Sequence, residues 1–407
     1  MAAQRSVIIL GSTGSIGTQA VDVISTRQDQ FRVLGLAANG SDISTLAQQI
    51  LDLQPAVVAL ARPTVVQDLQ LALYASAQQR GWNRGDVKLP RIIAGPEAAT
   101  ELAAMDADVV LNGITGSAGL LPTLATLNAG NTLALANKES LVIGGRLVTD
   151  AAAPDQIVAV DSEHSAFAQA LRAGRKEEVR RLVLTASGGP FRGRSRAELA
   201  DVTAEQAMAH PTWAMGRVIT VNSATLVNKG LELMEAALLY DVPLGAVQVV
   251  VHPQSIVHSM VEFHDGSTIA QCSPPDMRLP IALGLTWPDR LPDAAAAIDW
   301  TRSASWTFEP LDTDAFPATE LARHAGTVAG TAPAVFNAAN EVCVDAFCAG
   351  RLSFTGIVDT VAEVVNDHLS GTGDGHLRDD ELTVDGVLAA DAWARERATE
   401  RIGGRSS

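Results

Sequence analysis

"VIILGSTGSIGTQAVDVI", residues 7–24, decides how the chain is read. An apolar run meets three glycines, Gly11, Gly14 and Gly17, and the chain resumes with helical spacing. That is the pattern of a buried strand, a tight turn, and a helix whose first amide groups can face an anion. The spacing is GxxGxxG and not GxGxxG, so the turn alone fits either a dinucleotide site or a glycine-rich turn of another α/β protein. The next strand, "FRVLGLAAN" (31–39), arrives at the distance a βαβ unit requires and supports the nucleotide. At its end an NAD site would carry an acid for the ribose hydroxyls, and here stand Ala38, Asn39, Gly40 and Ser41. The missing acid favours NADP, although no Arg or Lys stands in that stretch to meet a 2′-phosphate.

Further along, short aliphatic runs alternate with helical stretches: "PAVVAL" (55–60), "RIIAG" (91–95), "DVVLNG" (108–113), "NTLALAN" (131–137) and "QIVAV" (156–160). Continuous apolar runs of this length are expected of parallel strands buried on both faces. The fold class is therefore α/β, with residues 1–160 forming a Rossmann-like doubly wound sheet. Residues 161–285 read as an α+β catalytic domain, with strands in "RRLVLTAS" (180–187) and "VQVVVHPQSIVHSMVEF" (247–263). Residues 286–313, rich in Pro, Trp and Asp, read as a linker, and 314–407 as a small C-terminal helical domain.

Composition narrows the function. Of 407 residues 47% are hydrophobic, enough for sizeable cores. Lys and Arg number 30 against 46 Asp and Glu, a net charge of −16 with no basic block, which excludes nucleic acid as a partner. Any phosphate bound must be small and met by local donors. Cys272, Cys343 and Cys348 share no zinc spacing and cannot all pair, as expected in a reducing compartment. The first apolar run, Val7–Leu10, is too short for a signal peptide, and Leu120–Ala136 is broken by Pro122 and Gly130. A cytoplasmic protein with no membrane partner is expected.

The acids are placed less ordinarily. "VDSEHSA" (160–166) ends an apolar run with Asp161 and Glu163, which on an extended strand project to one face. Two neighbouring carboxylates share a proton, take a cation, or stay solvated. In "VNSATLVNKGLELMEA" (221–236), Asn222 and Ser223 read as a helix N-cap, with Asn228, Lys229 and Glu232 following on one side. There Lys229 reads as an anion clamp and Glu232 as a ligand or base; an amphipathic helix with solvated charges is the plainer alternative. If Asp161, Glu163 and Glu232 converge, they make an all-oxygen site for Mg²⁺ or Mn²⁺. "TASGGPF" (185–191) sets Ser187, Gly188 and Gly189 at a strand end, where a hydroxyl and free amides can hold phosphate oxygens. "AHPTWAMGR" (209–217) places His210, Trp213 and Met215 between a proline and a glycine, as a closing lid would. His252 and His258 in "HPQSIVHSM" fit structural hydrogen bonds or a site, and "LANKES" (135–140) puts Lys138 and Glu139 at the edge of the nucleotide crevice.

"GSTGSIG", "ANKES", "DSEHSA", "SGGPF", "HPTWAMG", "NSATLVNKGLE" and "HPQSIVHSM", in this order, resemble the 1-deoxy-D-xylulose 5-phosphate reductoisomerases, and "FNAANEV" (336–342) resembles that family's C-terminal helical domain. The resemblance implies a homodimer that rearranges 1-deoxy-D-xylulose 5-phosphate and reduces the product with NADPH to 2-C-methyl-D-erythritol 4-phosphate, in the non-mevalonate route to isoprenoids. It implies Asp161, Glu163 and Glu232 as ligands of Mg²⁺ or Mn²⁺, with Co²⁺ a further option, and Lys138 and His210 beside them in catalysis. The sugar phosphate would meet Ser162, Lys138, Ser187, His210, Trp213, Ser223, Asn228 and Lys229. NADPH would meet Thr13, Gly14, Ser15 and Ile16, with Asn39 and Gly40 at the ribose end and Asn137, Lys138, Glu139 and Gly216 towards the nicotinamide. At 38–41 the chain departs from the family, many of whose members carry a Gly-Lys or Gly-Arg type stretch there. A metal-dependent phosphohydrolase would use the same acids without a dinucleotide turn, and a non-catalytic nucleotide-sensing module would keep the turn without three acids.

Overall fold

A computed structural model of the chain describes residues 4–82, 88–209, 216–371 and 375–405. They form two compact units, one made of Met1–Asn137, Asp150–Asp161 and Asp276–Ala295, the other of Lys138–Thr149, Ser162–Pro275 and Ala296–Ser407.

The first unit holds a parallel sheet of β1 (Arg5–Leu10), β2 (Phe31–Ala38), β3 (Val57–Leu60), β4 (Arg91–Ala94), β5 (Val109–Asn112), β6 (Thr132–Leu135) and β7 (Ile157–Ala159) in the order β4-β3-β2-β1-β5-β6-β7. Each of the seven aliphatic runs read as a strand is one. Val7–Leu10 and Val109–Asn112 are wholly buried, as central strands covered on both faces must be, and the edge strand β4 is not. Helices α1 (Ser15–Ser25), α2 (Ile43–Leu53), α3 (Val66–Gln79), α4 (Ala98–Ala103) and α5 (Leu120–Asn128) make the crossovers. The chain winds outward from β1 through β4, then returns to β5 on the other side of β1. The β1/β5 boundary is thus the switch point, the place at the strands' carboxyl ends where open α/β sheets bind ligands. Two glycines shape it. Gly11 has φ +78°, and a Cβ there would lie 2.7 Å from the Gly113 carbonyl oxygen. A Cβ on Gly17 would lie 2.3 Å from the Gly11 carbonyl oxygen, so only glycine lets α1 start so close to the turn.

The second unit is built on a mixed sheet, β11-β10-β8-β9-β12, of β8 (Val179–Ala186), β9 (Val247–Val251), β10 (Val257–Phe263), β11 (Thr268–Cys272) and β12 (Glu309–Pro310). β8 and β9 are parallel and the other pairs antiparallel. The long apolar run 247–263 is two strands, with His252–Ile256 turning the chain between them. Helices α6 (Lys138–Gly144), α7 (Arg146–Thr149), α8 (Ser162–Ala170), α9 (Ala204–Met208), α10 (Arg217–Thr225) and α11 (Val227–Tyr240) belong here, with α13 (Ala318–Val328), α14 (Ala332–Cys348), α15 (Phe354–Leu369) and α16 (Val384–Arg405). Helix α12 (Arg278–Thr286) belongs to the first unit, where Gly284 rests on Val160. The two units therefore do not follow the stretches 1–160, 161–285, 286–313 and 314–407 one to one.

Small residues let the helices of the second unit close up. Gly230 of α11 faces Ala322 of α13, and a Cβ on it would sit 2.6 Å from the alanine methyl. Helix α14, buried from Ala332 to Asn340, is the axis of the C-terminal bundle, with α15 and α16 against it. Its Asn340 donates to Asn222 Oδ1 of α10 at 2.9 Å, tying "FNAANEV" to the segment that carries Ser223. All three cysteines are free thiols.

A buried histidine in this bundle sets a pH response. His368 of α15 meets Thr331 Oγ1 at 2.8 Å and faces His376 and Trp393. Burial, with the second imidazole adding to it, lowers its pKa from the ordinary 6.5 to about 4. The unfolded ring takes a proton before the folded one does, so the stability it contributes is full above pH 6.5 and is lost as the pH falls towards 4. In His368→Gln, thermal unfolding followed from pH 7 to 4 should show a shallower acid decline, by at most about 3 kcal/mol. Parallel curves for the two proteins would show that this ring is not a source of the acid sensitivity.

Candidate active site

Strand β7 stops at Ala159, and Ser162 already opens α8. Strand alternation therefore does not bring Asp161 and Glu163 together. Glu163 instead lies in the first turn of a helix, where its charge is favoured by the exposed amides. The other correction concerns Asn222 and Ser223, which lie within α10 and cap nothing. Leu226, with φ +62°, breaks the helix there, and α11 sets off in a new direction with Asn228, Lys229 and Glu232 on its first turns.

These side chains do converge. The Lys229 ammonium donates to Glu163 Oε1 at 2.7 Å and to Glu232 Oε2. The Lys138 ammonium, on α6, donates to Glu232 Oε1 and Asn228 Oδ1, each at 3.0 Å, and the Asn228 amide donates to the same Glu232 oxygen. Ser162 Oγ donates to Glu163 Oε2 at 2.5 Å. Lys138, Lys229 and Glu232 are each at least 95% buried. Buried charges persist only when paired, and here two ammonium groups balance two carboxylates. Burial alone would push the Lys229 pKa down, and the charges of Glu163 and Glu232 more than offset it, so it stands above its ordinary value. Glu163 and Glu232 hold carboxylate oxygens within 4.8 Å of each other, a spacing that one cation can bridge. Asp161, the last residue of the first unit's 150–161 segment, precedes Ser162 in the chain, so its Cα lies within about 7 Å of that of Glu163 by connectivity alone.

A buried layer behind the cluster was not anticipated. His164 Nε2 meets the Glu232 carbonyl oxygen at 2.9 Å, its Nδ1 lies 3.3 Å from a Glu235 carboxylate oxygen, and the Tyr240 hydroxyl donates to the His164 carbonyl. These contacts lock α8 to α11 and so fix Glu163 against Glu232. The available signal was an acid three residues after Glu232, where i,i+3 spacing gives the same helix face.

The remaining candidates fall into three groups. Ser187 follows β8 in a loop where Gly188 and Gly189 have φ +85° and +65°, and a Cβ on Gly189 would meet the Ser223 carbonyl oxygen at 2.9 Å, so the Ser187 loop and Ser223 adjoin. Gly216 is the exposed N-cap of α10. His210 and Trp213, with the rest of the expected lid at 210–215, lie outside the described residues. In the first unit, Thr13 to Ile16 form the turn into α1, whose N-cap, Gly14, offers no side chain to its amides. Asn137 donates to the carbonyls of Ile114 and Gly116, and Glu139 is half-buried. His252 and His258 have structural roles: His252 meets the Thr307 carbonyl at 2.9 Å and accepts from the amides of Ile256 and Val257, and His258 meets the Ser273 carbonyl.

Comparison with known proteins runs the length of the chain. Residues 7–145 match the family model described as 1-deoxy-D-xylulose 5-phosphate reductoisomerase, residues 157–240 that enzyme's C-terminal domain, and residues 272–397 the DXP reductoisomerase C-terminal domain. The 1-deoxy-D-xylulose 5-phosphate reductoisomerase of Cutibacterium acnes is 70% identical over 401 residues, covering 97% of this chain and 98% of that protein. The structure of the Zymomonas mobilis enzyme in complex with NADPH is 39% identical, with a TM-score of 0.87 and coverage of 98% and 99%. A DOX-P reductoisomerase in complex with NADPH, fosmidomycin and magnesium is 34% identical, with a TM-score of 0.88 and coverage of 98% of each chain.

The charge balance of the cluster is open to test. Lys229→Met leaves Glu163 and Glu232 without their shared cation, which should lower the stability of the metal-free protein by about 3 kcal/mol in denaturant titrations. Added Mg²⁺ should restore part of the loss. An unchanged midpoint without metal would mean that the carboxylates do not rely on this ammonium.

Proposed function

The chain belongs to the 1-deoxy-D-xylulose 5-phosphate reductoisomerase family, and on that premise we propose that it converts 1-deoxy-D-xylulose 5-phosphate to 2-C-methyl-D-erythritol 4-phosphate with NADPH and a divalent cation, Mg²⁺ or Mn²⁺. The observation that carries this reading is the cluster of half-buried Glu163 with buried Glu232, Lys138 and Lys229 in a chain 70% identical to an enzyme of that name.

The residues fit both groups. Glu163 and Glu232 supply only oxygen, the donor set of a hard cation, and Asp161 completes it in our assignment. Lys229, whose ammonium holds the two carboxylates here, would meet the substrate's anionic end when a cation takes its place between them. When bound, the metal supplies Lewis acidity for charge that develops on the substrate's oxygens while a carbon–carbon bond is remade beside a carbonyl. The Gly11–Gly14–Gly17 turn is the tight strand-to-helix turn of a dinucleotide site, since side chains at Gly11 or Gly17 would collide with backbone. NADPH supplies the hydride.

The chain's own side chains bind and orient. We assign Ser187, Ser223, Asn228 and Lys229 to the phosphate end of the substrate, where it is anchored without reacting, and Ser162 and Lys138 to the reacting end. His210 and Trp213 join them on the strength of the motif alone. Thr13, Gly14, Ser15, Ile16, Asn39, Gly40, Asn137, Lys138, Glu139 and Gly216 are assigned to NADPH. By role, 1–160 is the cofactor domain, 161–285 the catalytic domain, 286–313 the linker and 314–407 the helical domain, in a homodimer of the cytoplasm. No helix among the described residues is long and apolar enough to cross a membrane. A phosphohydrolase has no use for the dinucleotide turn, nor a nucleotide sensor for the acids.

Replacing Asp161 or Glu163 or Glu232 by its amide removes a charged ligand and almost no volume. Each variant should lose about 10³-fold or more in metal-dependent oxidation of NADPH by 1-deoxy-D-xylulose 5-phosphate, yet bind NADPH as the wild type does. Three amide variants that turn over at the wild-type rate would refute the metal assignment.

A further inference from the structure

The stretch Ala38–Ser41 carries no basic residue, yet the fold delivers one to it. Strands β2 and β3 are parallel, with Ala38 opposite Leu60. Two residues past each strand end, Gly40 and Arg62 therefore stand side by side at the carboxyl edge of the sheet. Arg62 Nε donates to the Asn39 carbonyl at 3.0 Å, and its Nη2 donates to the Gly40 carbonyl. Gly40 has φ +83°, and a Cβ there would be 3.7 Å from both Nε and Nη2, so the guanidinium lies over the glycine itself. The rest of the loop is held by its own bonds. Asn39 Oδ1 accepts from the amide and hydroxyl of Ser41, and Asp42 is occupied as the N-cap of α2, accepting from the Thr45 amide.

We propose that Arg62 is the residue that reads the 2′-phosphate of NADPH and sets the preference over NADH. This rests on the reading of the Gly11–Gly17 turn as a dinucleotide site. In such a fold the adenine ribose lies over the end of the second strand, where an acid selects NAD and a nearby arginine accommodates the 2′-phosphate. Here no acid is free at that end, and an exposed guanidinium is fixed to the loop's backbone. Arg62 makes no ion pair among the described residues, and its two bonds use two of five N–H donors. The remaining donors, on Nη1 and Nη2, can present a fork to phosphate oxygens. A purely structural clamp on Asn39 and Gly40 is the competing role, and it would act on both nucleotides alike.

The test uses binding, not turnover. Dissociation constants of NADPH and NADH are measured by nucleotide fluorescence on the full-length protein, with 2′,5′-ADP and ADP as competitors, for wild type, Arg62→Ala and Arg62→Lys. The exposed position makes either variant compatible with folding. Loss of a charge-assisted contact should weaken NADPH by roughly 10- to 100-fold in Arg62→Ala and leave NADH within about twofold. Competition by 2′,5′-ADP should weaken with it and ADP competition should not, and Arg62→Lys should recover part of the NADPH affinity. Equal weakening of both nucleotides, or of neither, overturns the assignment of Arg62 while the dinucleotide site stands. A wild type that binds neither nucleotide overturns that site and the assignment together.

Discussion

A buried carboxylate set against a second one needs positive charge between the two. In the second unit Glu163 and Glu232 meet that need with the ammonium groups of Lys229 and Lys138, and much of the local architecture follows. The chain must break at Leu226 so that α11 can bring Asn228, Lys229 and Glu232 to the start of α8. Helix α8 must keep its register against α11, which His164, Glu235 and Tyr240 secure from behind. Gly230 and Ala322 let α13 close over the opposite face of α11. On our assignment of the metal to these carboxylates, the ligands are ordered before the cation arrives, and ligands already ordered lose little entropy on binding.

The first unit answers a different constraint, that of starting α1 hard against the turn that follows β1. Glycine at 11 and 17 is required by contacts of 2.7 and 2.3 Å that any side chain would make with backbone oxygen. On our assignment of the ribose end to Asn39 and Gly40, that end asks only for one positive charge within reach. Parallel register supplies it from the neighbouring strand's turn, through Arg62.

Strand content was legible because buried parallel strands are written as uninterrupted aliphatic runs, and "SVIIL" through "QIVAV" leave no competing period. The misreadings came where a short polar stretch joins two elements. "VDSEHSA" follows a strand, and strand alternation accounted for Asp161 and Glu163, whereas Ser162 starts a helix three residues beyond Ala159. "NSATLVN" looked like a cap because Asn and Ser favour that position, but the chain turns at Leu226, whose left-handed backbone no propensity scale would foresee. The convergence of Lys138 with Glu232 is a contact between residues 94 apart, and that of Arg62 with Gly40 spans 22. Neither leaves a local pattern, so the site's chemistry could be guessed from residue types, while its wiring waited for the fold.

We propose that reduction by NADPH in this chain depends on a divalent cation held by the carboxylate cluster. The most direct measurement is the absorbance of NADPH bound to metal-stripped protein, followed as 1-deoxy-D-xylulose 5-phosphate and then Mg²⁺ are added. No oxidation is expected with the sugar phosphate alone, and immediate, stoichiometric oxidation once Mg²⁺ arrives. Oxidation at full rate before the metal would show that no cation is needed, and none after it would show that the cluster does not support the reaction.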